Sequence, residues 1–330
     1  MKKLSIFIGF IFSISIVVYF AITIDLSKSW IHLKNTHLTL FLAAILLNGL
    51  SYYLRSWRWG LFFPRENRPF KIWNLFEASN VAALINNLIP ARLGEIAKIA
   101  YLSWIKKNQQ GAILASMIWD RLLDGIALAA LVVYVLLYSP FTMPGWMKGA
   151  SEKIGVAIVV FIITVFLMST LSEFCIRIVH RLPYLSEKWK IFLAENLKQL
   201  NFESGMTAKL KAIVGAALLS AVIWACELLI IIAIARAISI DLSVAEGLAL
   251  LALLVCATLA PSAPGYIGAI QLATILGFKI IGKPEPEALA FSVLYQFLIY
   301  LPATPLALYH LAARGTQLGQ LKKSLSEIKS

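Results

Sequence analysis

Asp120 and Asp124 stand four residues apart inside a long apolar run, with Arg121 three residues before Asp124. On a helix this spacing puts both carboxylates on one face and lets Arg121 pair with Asp124. Counted from Gln110 at about 1.5 Å per residue, the two acids lie roughly 15 Å and 21 Å along the helix, too deep to snorkel to a surface. An ionised group near the centre of a membrane helix costs about 2.5 to 3.5 kcal/mol on insertion scales. Charges kept at such depth either line a polar path or lock two helices together as an internal salt bridge, and the spacing suits both.

Arg92, Glu95 and Lys98 follow at intervals of three, along one side of a half-helix that starts after Pro90. A helix start offers free N–H groups to a phosphate or carboxylate, and Arg92 adds a bidentate cation at the same end. The alternative is that Glu95 neutralises Arg92 and leaves nothing for a ligand. Asn86 and Asn87, just before the proline, can satisfy freed backbone groups or contact headgroups. A second cluster, Ser262, Gly265, Tyr266, Gly268 and Gln271, brings small residues and neutral polar groups, with close helix packing as the plainer role. Glu227 is an isolated carboxylate in mid-span with no partner in its own helix. Arg92 or Arg121 across the bundle, or a proton, are the partners open to it.

These residues need membrane helices to hold them. Hydrophobic types make up 60% of the 330 residues, charged types 14%, and mean hydropathy is +0.80, which excludes an ordinary soluble globule. Measured against about 20 apolar residues per crossing, six spans emerge: Leu4–Ile24, Leu38–Trp59, Ala112–Tyr138, Ile154–Ile178, Ala212–Ala235 and Ala288–Ala312. The first follows Lys2 and Lys3 and is too long for the apolar core of a secretory signal, so it reads as a retained anchor. Two further apolar regions are broken, Ile72–Ile105 at Pro90 and Gly94, and Leu242–Ile281 at Pro261, Pro264 and Gly265. Each reads as a re-entrant hairpin of two half-helices, since irregular backbone at membrane depth must be covered by protein or a watery cavity.

If both hairpins enter and leave on one side, twenty Lys and Arg residues, Arg55 and Arg58 among them, fall on the cytoplasmic side and seven outside. That asymmetry puts both termini in the cytoplasm. It also exposes an internal repeat: span, broken hairpin, span occurs over 38–138 and again over 212–312, with Pro90 and Gly94 lying over Pro261 and Gly265. The single span between the copies inverts the second. Residues 1–37 form the N-terminal anchor, 139–211 the linking span and basic loop, and 313–330 a cytoplasmic tail, all within one membrane domain over 1–330. Discontinuous helices in an inverted repeat are a common plan of secondary transporters, whose half-helix ends meet near the midplane and bind charged groups.

The net charge of +13 sits between apolar runs, which favours anionic lipid headgroups over nucleic acid as the counterpart. Cys175, Cys226 and Cys256 show no metal or bridge spacing, and His32, His37, His180 and His310 are scattered, so neither a metal nor another cofactor is expected.

Asn87-Leu88-Ile89-Pro90-Ala91-Arg92-Leu93-Gly94-Glu95, then Asp120-Arg121-Leu122-Leu123-Asp124, then Pro261-Ser262-Ala263-Pro264-Gly265-Tyr266-Ile267-Gly268 resemble, in this order, motifs of the lysylphosphatidylglycerol synthase transmembrane family, the flippase-like membrane domain. The likeness covers most of the chain. It implies a protein that moves a lipid between leaflets, and it is far less specific for which lipid. The family often carries a glutamate shortly after the second Gly-rich turn, where this chain has Gln271. The soluble aminoacyl-transferring domain of larger relatives is not expected, because little follows Arg314.

The expectation is therefore an all-α polytopic membrane protein, six transmembrane helices plus two re-entrant hairpins in an inverted repeat, in the cytoplasmic membrane of a prokaryote. Its function would be to carry a phospholipid or polyprenyl-phosphate lipid with an anionic headgroup between leaflets, as a transporter and not an enzyme. A homodimer is left open. The rivals are an integral-membrane glycosyltransferase or its accessory subunit, which needs carboxylates at a water interface, and a membrane scaffold whose buried charges only cement helices.

Overall fold

The computed structural model describes residues 24–63, 68–89, 93–107, 109–138, 206–259 and 263–313, with positions 141, 156, 177, 178 and 190 besides. Nearly all of the expected spans Leu4–Ile24 and Ile154–Ile178, most of the basic loop after them, the tail beyond 313, and Pro90, Arg92, Pro261 and Ser262 lie outside the described residues.

Among the described residues the fold is all-helical: α1 (Leu26–Lys34), α2 (Leu38–Gly60), α3 (Ile72–Leu88), α4 (Gly94–Ile105), α5 (Gln110–Tyr138), α6 (Met206–Ala237), α7 (Val244–Leu259), a 3₁₀ turn (Pro264–Tyr266), α8 (Ala269–Ile280), α9 (Glu285–Tyr300) and α10 (Ala303–Ala313). Among the described residues four stretches are long and apolar enough to cross a bilayer, Leu38–Gly60, Gln110–Tyr138, Lys209–Ala237 and Glu285–Ala313. The last differs from the single span expected over Ala288–Ala312. It is two helices, α9 and α10, interrupted at Leu301 and Pro302 because proline has no N–H to continue the ladder. The loop expected after the anchor also holds a helix, α1, started by Asp25, whose carboxylate accepts from the N–H groups of Ser27 and Lys28.

A helix ends before each breaker and another begins after it. The chain leaves α3 in an extended conformation at Ile89, and α7 is followed by the 3₁₀ turn before α8 begins. Helices α4 and α8 have 12 residues each, roughly 18 Å, well short of the ~30 Å hydrocarbon core. The two halves of each broken region fold back on one another. Gly94 sits against the carbonyl of Ala82, and Gly277 faces Leu250.

Helix α6 packs along the whole of α2 and runs antiparallel to it: the His37 N–H donates to Ala237 O at 2.7 Å, Ser51 meets Glu227, Arg58 meets Ser220, and Gly215 meets Leu61. The same neighbour pattern recurs in both halves of the chain. Helix α3 packs on α2 and α4 as α7 packs on α6 and α8, and α10 packs on α3 as α5 packs on α7.

On α2 the sequence separates two faces. Leu42, Leu46, Leu50, Tyr53 and Trp57 point outward, while Asn48, Ser51, Arg55 and Arg58 recur at intervals of three and four and point inward. Buried apolar clusters lie on either side of that polar stripe. One joins Ala44, Leu131 and Ile230 with α7, α8 and α9. The others gather Trp59, Ile113 and Met117 with α3 and α4, and Phe62, Trp119 and Leu122 with the start of α6. The charged layer described next is held between them.

Candidate functional site: an ion network between four helices

Arg58 is fully buried, with a side-chain exposure of 0%. Its Nε donates to Asp120 Oδ1 at 2.9 Å, its Nη1 donates to Ser220 Oγ at 3.0 Å, and Nη1 also lies 2.8 Å from Asp124 Oδ1. One guanidinium thus ties α2 to α5 and α6. Arg55, one turn earlier, places Nη2 3.0 Å from Glu227 Oε1 and Nη1 3.4 Å from Asp124 Oδ1. Ser51 Oγ donates to the same Glu227 oxygen at 2.8 Å. Glu227 is therefore paired with Arg55; of the partners left open for it, Arg121 is engaged by Glu95 and Asp124, and Arg92 lies outside the described residues. Arg55 and Arg58, which charge counting placed among the cytoplasmic cations, are themselves members of this layer. The bias that remains, eighteen against seven, still has the same sign.

On the other flank Arg121 makes the anticipated pair with Asp124, Nη1 to Oδ2 at 3.2 Å, and its Nη2 lies 3.3 Å from Glu95 Oε1. Glu95 also holds Lys98, 3.4 Å away, and the Lys98 ammonium lies 5.1 Å from the centroid of the Trp59 ring. The Trp59 indole N–H donates to Ser116 Oγ at 2.9 Å, which fixes that ring against α5. A continuous chain of opposite charges therefore runs Lys98, Glu95, Arg121, Asp124, Arg55, Glu227, with Arg58 and Asp120 branching from its middle.

The network is sealed at its middle and open at one flank. Arg58 and Asp120 have side chains 0% and 7% exposed, whereas Arg121 and Glu95 are 48% and 43% exposed. A half-exposed guanidinium in the interior of a membrane helix needs water or a polar headgroup beside it, because bare hydrocarbon would cost several kcal/mol. Fully desolvated Arg58, by contrast, is matched with two carboxylates and a hydroxyl, the condition under which a buried charge is tolerated.

The hairpin residues have their own tasks. Asn86 Oδ1 accepts the Gly94 N–H at 2.8 Å and so occupies one of the free donors at the start of α4. A Cβ on Gly94 would come within 2.5 Å of Ala82 O, so only glycine lets the two half-helices approach this closely. Asn87 donates from Nδ2 to Ile299 O, 3.4 Å away beside the α9–α10 break. In the second hairpin Gln271 Oε1 accepts the Gly268 N–H at 2.7 Å, its Nε2 donates to Gln296 Oε1 at 3.5 Å, and Gln296 Nε2 donates to Gly265 O at 2.7 Å. Gly265 has φ +67° and faces the Tyr300 hydroxyl, and Tyr266 follows with φ +63°. The second hairpin is held by neutral hydrogen bonds alone, whereas the first adds to its Asn86–Gly94 bond the charges of Glu95 and Lys98, which tie α4 to α5 and α2.

Sequence reasoning missed Arg55 and Arg58 as members of the site, although the stripe Asn48, Ser51, Arg55, Arg58 within one apolar span marks them as facing inward. Among the described residues no group of three His, Cys, Asp or Glu side chains is arranged to hold a metal ion.

No curated protein and no solved structure matches the chain. The family model described as the lysylphosphatidylglycerol synthase TM region matches residues 6–307, which takes in every helix from α1 to α9 and all the charges of the network. Its apolar helices and this match together make the protein an integral membrane protein that acts on lipids, and the chain belongs to the lysylphosphatidylglycerol synthase TM region family.

Proposed function

We propose that the protein is a lipid transporter, a flippase or scramblase, that moves a phospholipid or polyprenyl-phosphate lipid with an anionic headgroup between leaflets. The observation that carries this reading is the open flank of the ion network. Arg121 and Glu95 are half exposed at a depth where charged side chains otherwise face the bundle interior or a watery cavity. A lipid phosphate that enters there replaces Glu95 on Arg121, and Lys98 stays with the released carboxylate. Arg92, between α3 and α4 in the sequence, supplies a further cation on this reading. The headgroup crosses in this polar groove while its tails remain in hydrocarbon.

The two broken regions act as re-entrant hairpins of an inverted repeat. The antiparallel packing of α2 on α6 and the recurrence of neighbours in the two halves support it. Transport then follows from rocking of one half against the other, with the Arg55, Asp124 and Glu227 pairs formed or broken as α2, α5 and α6 shift. The protein resides in the cytoplasmic membrane of a prokaryote with both termini in the cytoplasm and works without a cofactor. The scaffold reading is favoured for one part only, the sealed Arg58–Asp120 pair, which we assign to holding α2 on α5.

The test is reconstitution into vesicles that carry a fluorescent anionic phospholipid, with leaflet exchange read by quenching from outside. Wild-type protein is expected to accelerate exchange and Arg121→Ala at equal protein density to abolish most of the gain. Equal exchange by the two would remove the open flank from the mechanism.

A further inference from the structure

A cavity of about 390 Å³ lies between α5, α6 and α7, in the range typical of ligand sites. Its lining is almost wholly apolar and is kept open by small side chains, Ala127 on α5 and Ala217, Ala221 and Ala225 on α6. Its polar points are few and specific. Ser220 lines it and is the same hydroxyl that accepts from Arg58. Trp224 lines it too, and the indole Nε1 is buried without a hydrogen-bond partner among the described residues. Ser220, Trp224 and Glu227 fall at intervals of four and three on α6, so the cavity wall and the carboxylate that holds Arg55 share one stripe of the helix.

The dimensions identify an occupant. From Ala217 to Leu228 the cavity follows α6 for eleven residues, roughly 16 Å, close to the ~15 Å depth of one leaflet's hydrocarbon. A lipid whose phosphate sits at the ion network has a chain of that reach and chemistry to place beside it. We infer that this cavity is the binding site for one hydrocarbon chain of the transported lipid, with the Trp224 N–H donating to the chain's ester carbonyl while the headgroup sits at the ion network. The inference rests on the transport reading. It adds that the protein grips one tail as well as the headgroup, and that α7 of the second hairpin forms the cavity's third wall through Leu248 and Leu251.

Vesicles of phosphatidylcholine containing phosphatidylglycerol with a diazirine in one acyl chain provide the probe. Irradiation of wild-type protein is expected to label 123–131 and 217–228, and Ala221→Trp, which fills the cavity, to lose that label and slow exchange of fluorescent phosphatidylglycerol by about tenfold, the scale of a local overpacking. Label spread over the outward faces of α2 and α5, with none concentrated at the cavity, would overturn the inference. Loss of the label in Ala221→Trp with exchange unchanged would overturn it as well, because the cavity would then hold only a resident lipid. Should Ala221→Trp melt at a lower temperature than wild type, Ala127→Leu and the wild-type labelling decide the matter. Failure of the wild-type protein to move any lipid would count against transport itself, whereas the labelling pattern reports on the cavity separately.

Discussion

Arg58 and Arg121 share Asp124 but not solvent, and the difference sets what each substitution does. Removing the guanidinium of Arg58 leaves buried Asp120 with only the 3.8 Å contact to Arg121, a change expected to cost about 3 to 5 kcal/mol. Arg58→Leu should therefore lower the melting temperature in detergent and the yield of folded protein. Asp120→Asn should do the same, and Arg58→Leu combined with Asp120→Leu should recover part of the loss. No recovery in the double variant would mean that the two side chains do not act as a pair. Arg121 is half exposed, so Arg121→Ala should change stability by no more than about 1 kcal/mol while lipid exchange falls. Asp124 and Arg121 were legible in the sequence because their spacing is local. The partners of Asp120 and Glu227 were not, because Arg58 and Arg55 lie 62 and 172 residues away from them and only the packing of α2 on α5 and α6 brings them in. Charge counting further hid both arginines by treating the end of an apolar run as the end of the membrane.

At the scale of the element, the two hairpins solve one problem in different ways, and their glycines report it. Gly94→Ala should loosen the contact of α4 with α3 by about 1 to 3 kcal/mol, because the new methyl group meets a backbone carbonyl that cannot rotate away. Gly265→Ala should cost more, since the methyl group would collide with the Tyr300 hydroxyl and the backbone would be held at φ +67°. Adding Tyr300→Phe should restore only the part due to the hydroxyl. Thermal melting of the single and double variants checks both expectations, and full rescue by Tyr300→Phe would show that the backbone angle carries no cost. Asn86→Ala, which leaves the Gly94 N–H without its acceptor, should cost about 1 kcal/mol in the same assay. Proline and glycine made both breaks visible in the sequence. The break between α9 and α10 escaped because Pro302 lies in a run otherwise apolar enough to read as one span, and apolarity carries no information about helix continuity.

For the whole molecule, the apolar runs made the membrane class plain from composition, and their order suggested the repeat. The fit of one half on the other was beyond the sequence, since it depends on α2 and α6 meeting along their lengths with their polar stripes in register. If the hairpins dip in from opposite faces, Lys106 and Lys107 after the first hairpin are cytoplasmic. An impermeant amine reagent, applied to sealed right-side-out vesicles and followed by mass spectrometry, should leave them unmodified. Their modification from outside would overturn the inverted arrangement. Passage of lipid through the open flank of the charged layer is measured by exchange of a fluorescent anionic phospholipid in vesicles holding equal amounts of folded wild-type, Arg121→Ala and Arg121→Lys protein. Exchange should be fast for wild type, fall about tenfold or more for alanine, on the scale of one charge-assisted phosphate contact, and be partly retained for lysine, which keeps the charge without the bidentate geometry. Exchange at the wild-type rate in the alanine variant would contradict that route.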